Sequence, residues 1–146
     1  MNIGEFLTTV PLFKYLDEEQ LEEIKELVRE ETFSAGAEII RQGEASDGLY
    51  VIVSGLVQVT GRLDSHGDDE AVLTVLGPGE AFGELALLDG KPRSATVVAS
   101  WATRCLHIHR SEFVAQLKRH PEIALGLLTV MAERLREADR RIAQLV

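Results

Sequence analysis

Between residues 31 and 109 the apolar side chains come in short β-branched runs, punctuated by Gly36, Gly43, Gly48, Gly55, Gly61, Gly67 and the Gly77-Pro78-Gly79 turn. Many short strands separated by turn residues predict a β-sandwich or barrel rather than alternating βα units. The runs place strands near residues 31–33, 38–41, 49–53, 56–63, 70–76, 93–99 and 103–109. Asp64 to Asp69 is a polar hairpin loop, with His66 as a solvated loop residue. On either side of this region the spacing becomes helical. Leu21, Ile24, Leu27 and Val28 recur at steps of three and four, and Asp17 with Gln20 three residues on is a capping-box variant that starts their helix. Before it, Leu7 to Phe13 form an apolar turn broken by Pro11. After the strands, Ser111 is expected to cap a short helix through Phe113, Val114 and Leu117, and Pro121 opens a final helix running to the C-terminus.

That last helix carries Leu128, Met131, Leu135, Ala138, Ile142 and Leu145 at alternating steps of three and four, a heptad seam. One reading packs this stripe on the chain's own barrel; the periodicity continues past the reach of the chain's own strands, so the favoured reading is a homodimer through residues 121–146.

Charge narrows the partners. Net charge is -9 from 15 basic and 24 acidic side chains, and Glu18, Glu19, Glu22, Glu23 and Glu26 make the outer face of the first helix acidic. Such a field repels polyphosphate, so nucleic-acid binding by this chain alone is not expected. The 146 residues suit one domain. No apolar run is long enough to span a membrane and the N-terminus lacks a signal pattern, so a cytoplasmic protein with no membrane partner is expected. The lone Cys105 forms no internal disulfide and holds no iron-sulfur cluster; it reads as a small strand residue near the core.

The candidate chemistry lies in Phe82 to Val98, F-G-E-L-A-L-L-D-G-K-P-R-S-A-T-V-V. Gly83 to Ala86 (Gly83, Glu84, Leu85, Ala86) sit where the first turn of a short helix over Leu85 to Leu88 begins, with free backbone N–H groups. Gly83 allows close backbone approach. Arg93 supplies a permanent charge on a planar fork matching two phosphate oxygens, and Ser94 a hydroxyl donor, both at the start of a strand. The set suits a small anion with a sugar attached. Alone, Gly83-Glu84 reads as an ordinary turn and Arg93 as a surface salt bridge; the ordered run is what is specific.

This segment closely resembles the phosphate-binding cassette of cyclic-nucleotide-binding domains, as in the bacterial catabolite activator family and the regulatory subunits of cyclic-AMP-dependent kinase. The resemblance extends to L-F-K-Y-L-D, R-Q-G-E, G-L-Y-V-I-V-S-G and G-P-G-E-A-F-G-E, and so covers almost the whole chain. It implies a mainly β fold with flanking helices, an eight-stranded β-roll (jelly roll) with an N-terminal helix, a short cassette helix and two C-terminal helices. Residues 1–30 would then be the N-terminal helical segment, 31–109 the roll with its cassette at 82–98, and 110–146 the C-terminal helices. By the same resemblance Glu84 holds the ribose 2'-hydroxyl, Arg93 and Ser94 hold the phosphate, and Val59 and Leu73 wall the base. In an empty site Glu84 would neutralise Arg93. In the last helix Arg134 falls where relatives carry an arginine near ribose and glutamate, with an interchain pair to Asp139 as its competing role. Ala138 and Asp139 stand where catabolite activators carry hydroxyl side chains that read the adenine amino group. Asp139 can accept from that group and Ala138 cannot. Ser94, where cGMP-selective relatives often carry threonine, favours cAMP over cGMP as the ligand, in a non-catalytic sensor with no metal.

Two other classes compete. His107 and His109 share one strand face with Glu112 nearby, and a roll of this size resembles the metal-binding cupin enzymes; alternation puts Leu106 and Ile108 inward and both histidines outward. Alternatively, the chain is the sensor part of a catabolite-activator-like regulator without its helix-turn-helix.

Overall fold

The computed structural model describes residues 2–45, 47–62 and 70–145. The loop at 64–69, with His66, lies outside the described residues. The chain opens with α1 (Ile3–Thr8), a single 3-10 turn at Pro11–Phe13, and α2 (Glu18–Leu27). The capping box forms as expected: Gln20 N–H donates to Asp17 Oδ1 at 2.9 Å and Asp17 N–H to Gln20 Oε1 at 3.0 Å. Ahead of it, the expected apolar turn is preceded by a six-residue helix, capped where Glu5 N–H donates to the Asn2 side chain.

Among the described residues eight strands follow: β1 (Arg29–Phe33), β2 (Glu38–Ile40), β3 (Gly48–Ser54), β4 (Val57–Arg62), β5 (Glu70–Leu76), β6 (Ala81–Phe82), β7 (Thr96–Ala99) and β8 (Thr103–His109). Between β6 and β7 lies α3 (Glu84–Asp89), and α4 (Arg110–Arg119) and α5 (Glu122–Gln144) close the chain. The strands form two antiparallel four-stranded sheets, ordered β1-β8-β3-β6 and β2-β7-β4-β5. This is a mainly β roll with flanking helices, as expected.

Alternation along β3 shows how two cores are built from one strand. Leu49 and Val51 face the helices and join Leu7, Phe13, Ile24, Phe113, Ile123 and Leu127, while Tyr50 and Ile52 face the second sheet and join Ile40, Val57, Phe82 and Val97. A strand buried on both faces reads as a continuous apolar run, and L-Y-V-I-V is one. Strand β8 behaves the same way, which corrects one expectation. Leu106 and Ile108 face the helices, so the opposite face of β8 is the interior of the roll, with Cys105 buried there and His107 only 8% exposed. Of the two histidines only His109 is exposed, and it, not Ser111, caps α4: its Nδ1 accepts from Ser111 N–H.

Helix α5 starts flush against the 3-10 turn. A β-carbon on Gly126 would lie 2.0 Å from the Leu12 carbonyl oxygen, so only glycine allows this approach. Farther along, Met131 packs on the helical core, whereas Leu128, Leu135 and Ile142 are 60% exposed or more. No helix among the described residues is long and apolar enough to cross a membrane.

Candidate functional site

The two sheets and α5 enclose a cavity of about 470 Å³, a volume suited to a small ligand. Its apolar wall is Ile40, Val59, Leu73, Leu76, Phe82 and Val97; Glu84, Arg93, Ser94 and Arg134 bring polar groups to it, with Gly83 and Ala138 also on the lining. Val59 and Leu73 therefore stand where a base wall was expected. Asp139 does not line the cavity and is exposed, while Ala138 does line it. The side chains of Leu85 and Ala86 lie outside the described residues, and their backbone is in the first turn of α3.

Arg93 is not on a strand: β7 begins at Thr96, and the arginine sits in the loop before it. Its backbone is clamped instead to the loop after β2, through Arg93 N–H to Glu44 O at 2.7 Å and Gly43 N–H to Arg93 O at 2.9 Å. This gives the R-Q-G-E segment a structural task, and the positive φ of Gly43 (89°) makes the turn. The residue as a whole is 5% exposed. Its NH1 donates to Gly83 O and its NH2 to Gly48 O, both at 2.9 Å, and NH2 also donates to Asp47 Oδ1 at 3.1 Å. These three acceptors leave guanidinium N–H groups free for an anion in the cavity.

Gly83 is required by this arrangement. Its φ is +90°, and a β-carbon there would lie 2.6 Å from Arg93 NH1. The turn presents its carbonyl to Arg93 and starts α3 with Glu84, which is 8% exposed. Glu84 pairs with Arg134 of α5, whose NH2 also donates to Ala81 O. One expectation is thereby corrected, since the empty site neutralises Arg93 with Asp47 rather than Glu84, while Arg134 lies beside Glu84, where the resemblance places it. A buried charge left unpaired is costly, so each of the two buried ions has acquired its own partner.

Asp47 went unnoticed in the sequence because an aspartate before glycine reads as a turn. Thr74 and Ala95 line the cavity without any local signature. Among the described residues no group of three or more His, Cys, Asp or Glu converges as a metal site. Burial pushes the Cys105 thiol up to about 12, which keeps it protonated and unreactive at neutral pH.

Comparison with known proteins agrees with this geometry. The family described as the cyclic nucleotide-binding domain matches residues 30–120. The chain is 38% identical over 130 residues to the cyclic AMP receptor protein of Thermus thermophilus, covering 88% of this chain and 59% of that protein, so it spans about three-fifths of that relative's length. It is 39% identical over 113 residues to isozyme 1 of the cGMP-dependent protein kinase of Drosophila melanogaster, covering 77% of this chain and 15% of the kinase. The structure of the regulatory domain of Toxoplasma gondii PKA with cAMP superposes with a TM-score of 0.81 at 28% identity, covering 89% of this chain and 48% of that one.

Proposed function

The chain belongs to the cyclic nucleotide-binding domain family, and from that premise we propose a non-catalytic cytoplasmic sensor, a single domain over residues 1–146 that binds cAMP in preference to cGMP and signals through α5. The observation that carries this reading is Arg93, a buried guanidinium at the wall of a nucleotide-sized cavity that it shares with the carboxylate of Glu84. Arg93 and Ser94 hold the phosphate, and Glu84 accepts from the ribose 2'-hydroxyl. Val59 and Leu73 pack on the base, and Gly83 with the backbone of Leu85 and Ala86 lines the phosphate. Ser94 favours cAMP. With Ala138 on the lining and Asp139 outside it, α5 offers the base no hydrogen-bonding partner at those two positions, so selectivity for the purine is modest.

Signalling follows from the ion pair between Glu84 and Arg134, which ties the cassette helix α3 to α5. A ribose hydroxyl donating to Glu84 changes the partners of that carboxylate, and α5 reads the change through Arg134. The exposed Leu128, Leu135 and Ile142, at steps of seven, are the seam of a homodimer. Within a longer regulator, DNA binding would belong to another segment.

Calorimetric titration with cAMP and cGMP tests the central claim on the wild type and on Arg93→Ala. Loss of the arginine should weaken cAMP binding by about 2–5 kcal/mol. Equal affinity in the two proteins would remove Arg93 from the site.

A further inference from the structure

The ion pair between Asp47 and Arg93 has a third neighbour, His107, that the site described above does not include. Asp47 Oδ1 lies 3.1 Å from Arg93 NH2 and 3.8 Å from Nε2 of His107. His107 is 8% exposed, and its Nε2 has no hydrogen-bond partner among the described residues. The next residue, Gly48, donates nothing to the imidazole but leaves room for it: a β-carbon there would lie 2.6 Å from His107 Nε2, while the Gly48 carbonyl accepts from Arg93 NH2. Residues 47 and 48 thus lie between the phosphate-site arginine and a buried histidine whose Nε2 is unpaired among the described residues.

We propose that His107 is a positioning residue for Arg93, acting through Asp47, so that proton uptake by His107 and binding of the cyclic nucleotide favour each other. The proposal rests on the reading of Arg93 as the phosphate ligand.

In the ligand-free protein Asp47 occupies one NH2 proton of Arg93 and sets a negative charge beside the place a phosphate must enter. Its side chain is 64% exposed and able to turn, whereas the Arg93 side chain is 4% exposed and held. Neutral His107 competes weakly for Asp47. Once protonated, it carries a charge and donates Nε2–H toward Oδ1, which draws the carboxylate off Arg93 and frees NH2 for a phosphate oxygen.

The other groups facing the imidazole do not take over this role. On β1, Glu31 Oε1 lies 3.7 Å from Nδ1, and Arg29 is the register partner of His107. Neither is among the hydrogen-bond or ion-pair partners of Arg93. On β3 the Tyr50 ring packs against the imidazole with centroids 4.5 Å apart; burial pushes its phenol well above its ordinary value, aided by Asp47 and Glu31, so it stays neutral. On β8 itself, Cys105 is a protonated thiol and His109 is exposed at the cap of α4. Histidine is the side chain type suited to a charge change near neutral pH, so the proposal assigns the switch to His107.

The sign follows directly. The protonated imidazole releases Arg93, so affinity rises as pH falls through the His107 titration and levels off below it. By reciprocity, saturating ligand raises the titration midpoint of His107.

Calorimetric titration with cAMP from about pH 8 to about pH 5.5, in buffers of different ionisation enthalpy, should show wild-type affinity rising at least about fivefold with proton uptake. His107→Gln and Asp47→Asn should each flatten that slope. A flat wild-type profile, or an undiminished slope in His107→Gln, overturns the relay while leaving the Arg93→Ala result to stand. A wild type that binds no cAMP at any pH overturns the site reading and this proposal together. The ligand-free arm is an NMR titration of the His107 ring, whose midpoint should fall in Asp47→Asn; an unmoved midpoint overturns the coupling even if His107→Gln fails to fold.

Discussion

Replacing Gly83 with alanine separates backbone strain from loss of the arginine's seat. Two costs are involved. An L-residue held at φ near +90° pays roughly 1–2 kcal/mol in the left-handed region. The new β-carbon would also lie 2.6 Å from Arg93 NH1, 3.1 Å from Gly48 O and 3.4 Å from Ile40 Cδ1, so the guanidinium must move and its bond to the Gly83 carbonyl weakens. A hydrogen bond to a charged group is worth about 1.5–3 kcal/mol, and the sum is about 2.5–5 kcal/mol. Gly36→Ala provides the reference. Gly36 has nearly the same φ (+88°), but nothing lies within 4 Å of its β-carbon position, so only the strain should appear. Urea denaturation of the two variants should show losses of about 1–2 kcal/mol for Gly36→Ala and about 2.5–5 kcal/mol for Gly83→Ala. The displaced guanidinium should also lower cAMP affinity by roughly ten- to a hundredfold in Gly83→Ala alone. Equal stability losses with equal affinities would mean that Arg93 relaxes freely, and the close packing argued for the cassette would be refuted.

The remaining expectations concern α5. Gly126→Ala gains about 1 kcal/mol of helix propensity but must push the Leu12 carbonyl away from a contact of 2.0 Å; since overpacking costs about 1–3 kcal/mol, a net loss of up to about 2 kcal/mol is expected in denaturation, and a stabilised variant contradicts it. Leu135 is 65% exposed, so Leu135→Glu should leave the fold intact while sedimentation shows monomer in place of dimer; a wild type that sediments as monomer at high concentration removes the seam. Saturating cAMP should slow amide exchange across residues 122–144 through the link between Glu84 and Arg134, and unchanged exchange there would disconnect α5 from ligand binding.

How much of this was legible from the sequence depends on the range of the interaction involved. Local signals were read correctly. The Asp17–Gln20 cap forms because both bonds lie within one helical turn, and most strands lie within two residues of the runs that announced them. Two elements were too short to signal: β6 is only Ala81–Phe82, and α1 is six residues closed by two threonines whose hydroxyls donate to the carbonyls of Glu5 and Phe6. Alternation correctly placed Leu106 and Ile108 on one face of β8, but no periodicity tells what covers the other face. There Cys105 meets the second sheet, and His107, packed on Tyr50, is buried rather than solvated.

The same distinction runs through the site. Arg93, Glu84 and Ser94 were recognisable by residue type and order within a single stretch, because a buried anion demands an arginine fork and small residues near it. Their partners were not. Arg93 meets Asp47 across 46 residues and Glu84 meets Arg134 across 50, and both separations are bridged by sheet pairing and by the docking of α5. The sequence therefore named the charges, while only the fold assigned them to pairs. That assignment carries the proposed function: with Glu84 committed to α5 and Arg93 committed to Asp47, a ribose at Glu84 and a phosphate at Arg93 would each alter a different ion pair, the first linked to the C-terminal helix and the second, by our proposal, to His107.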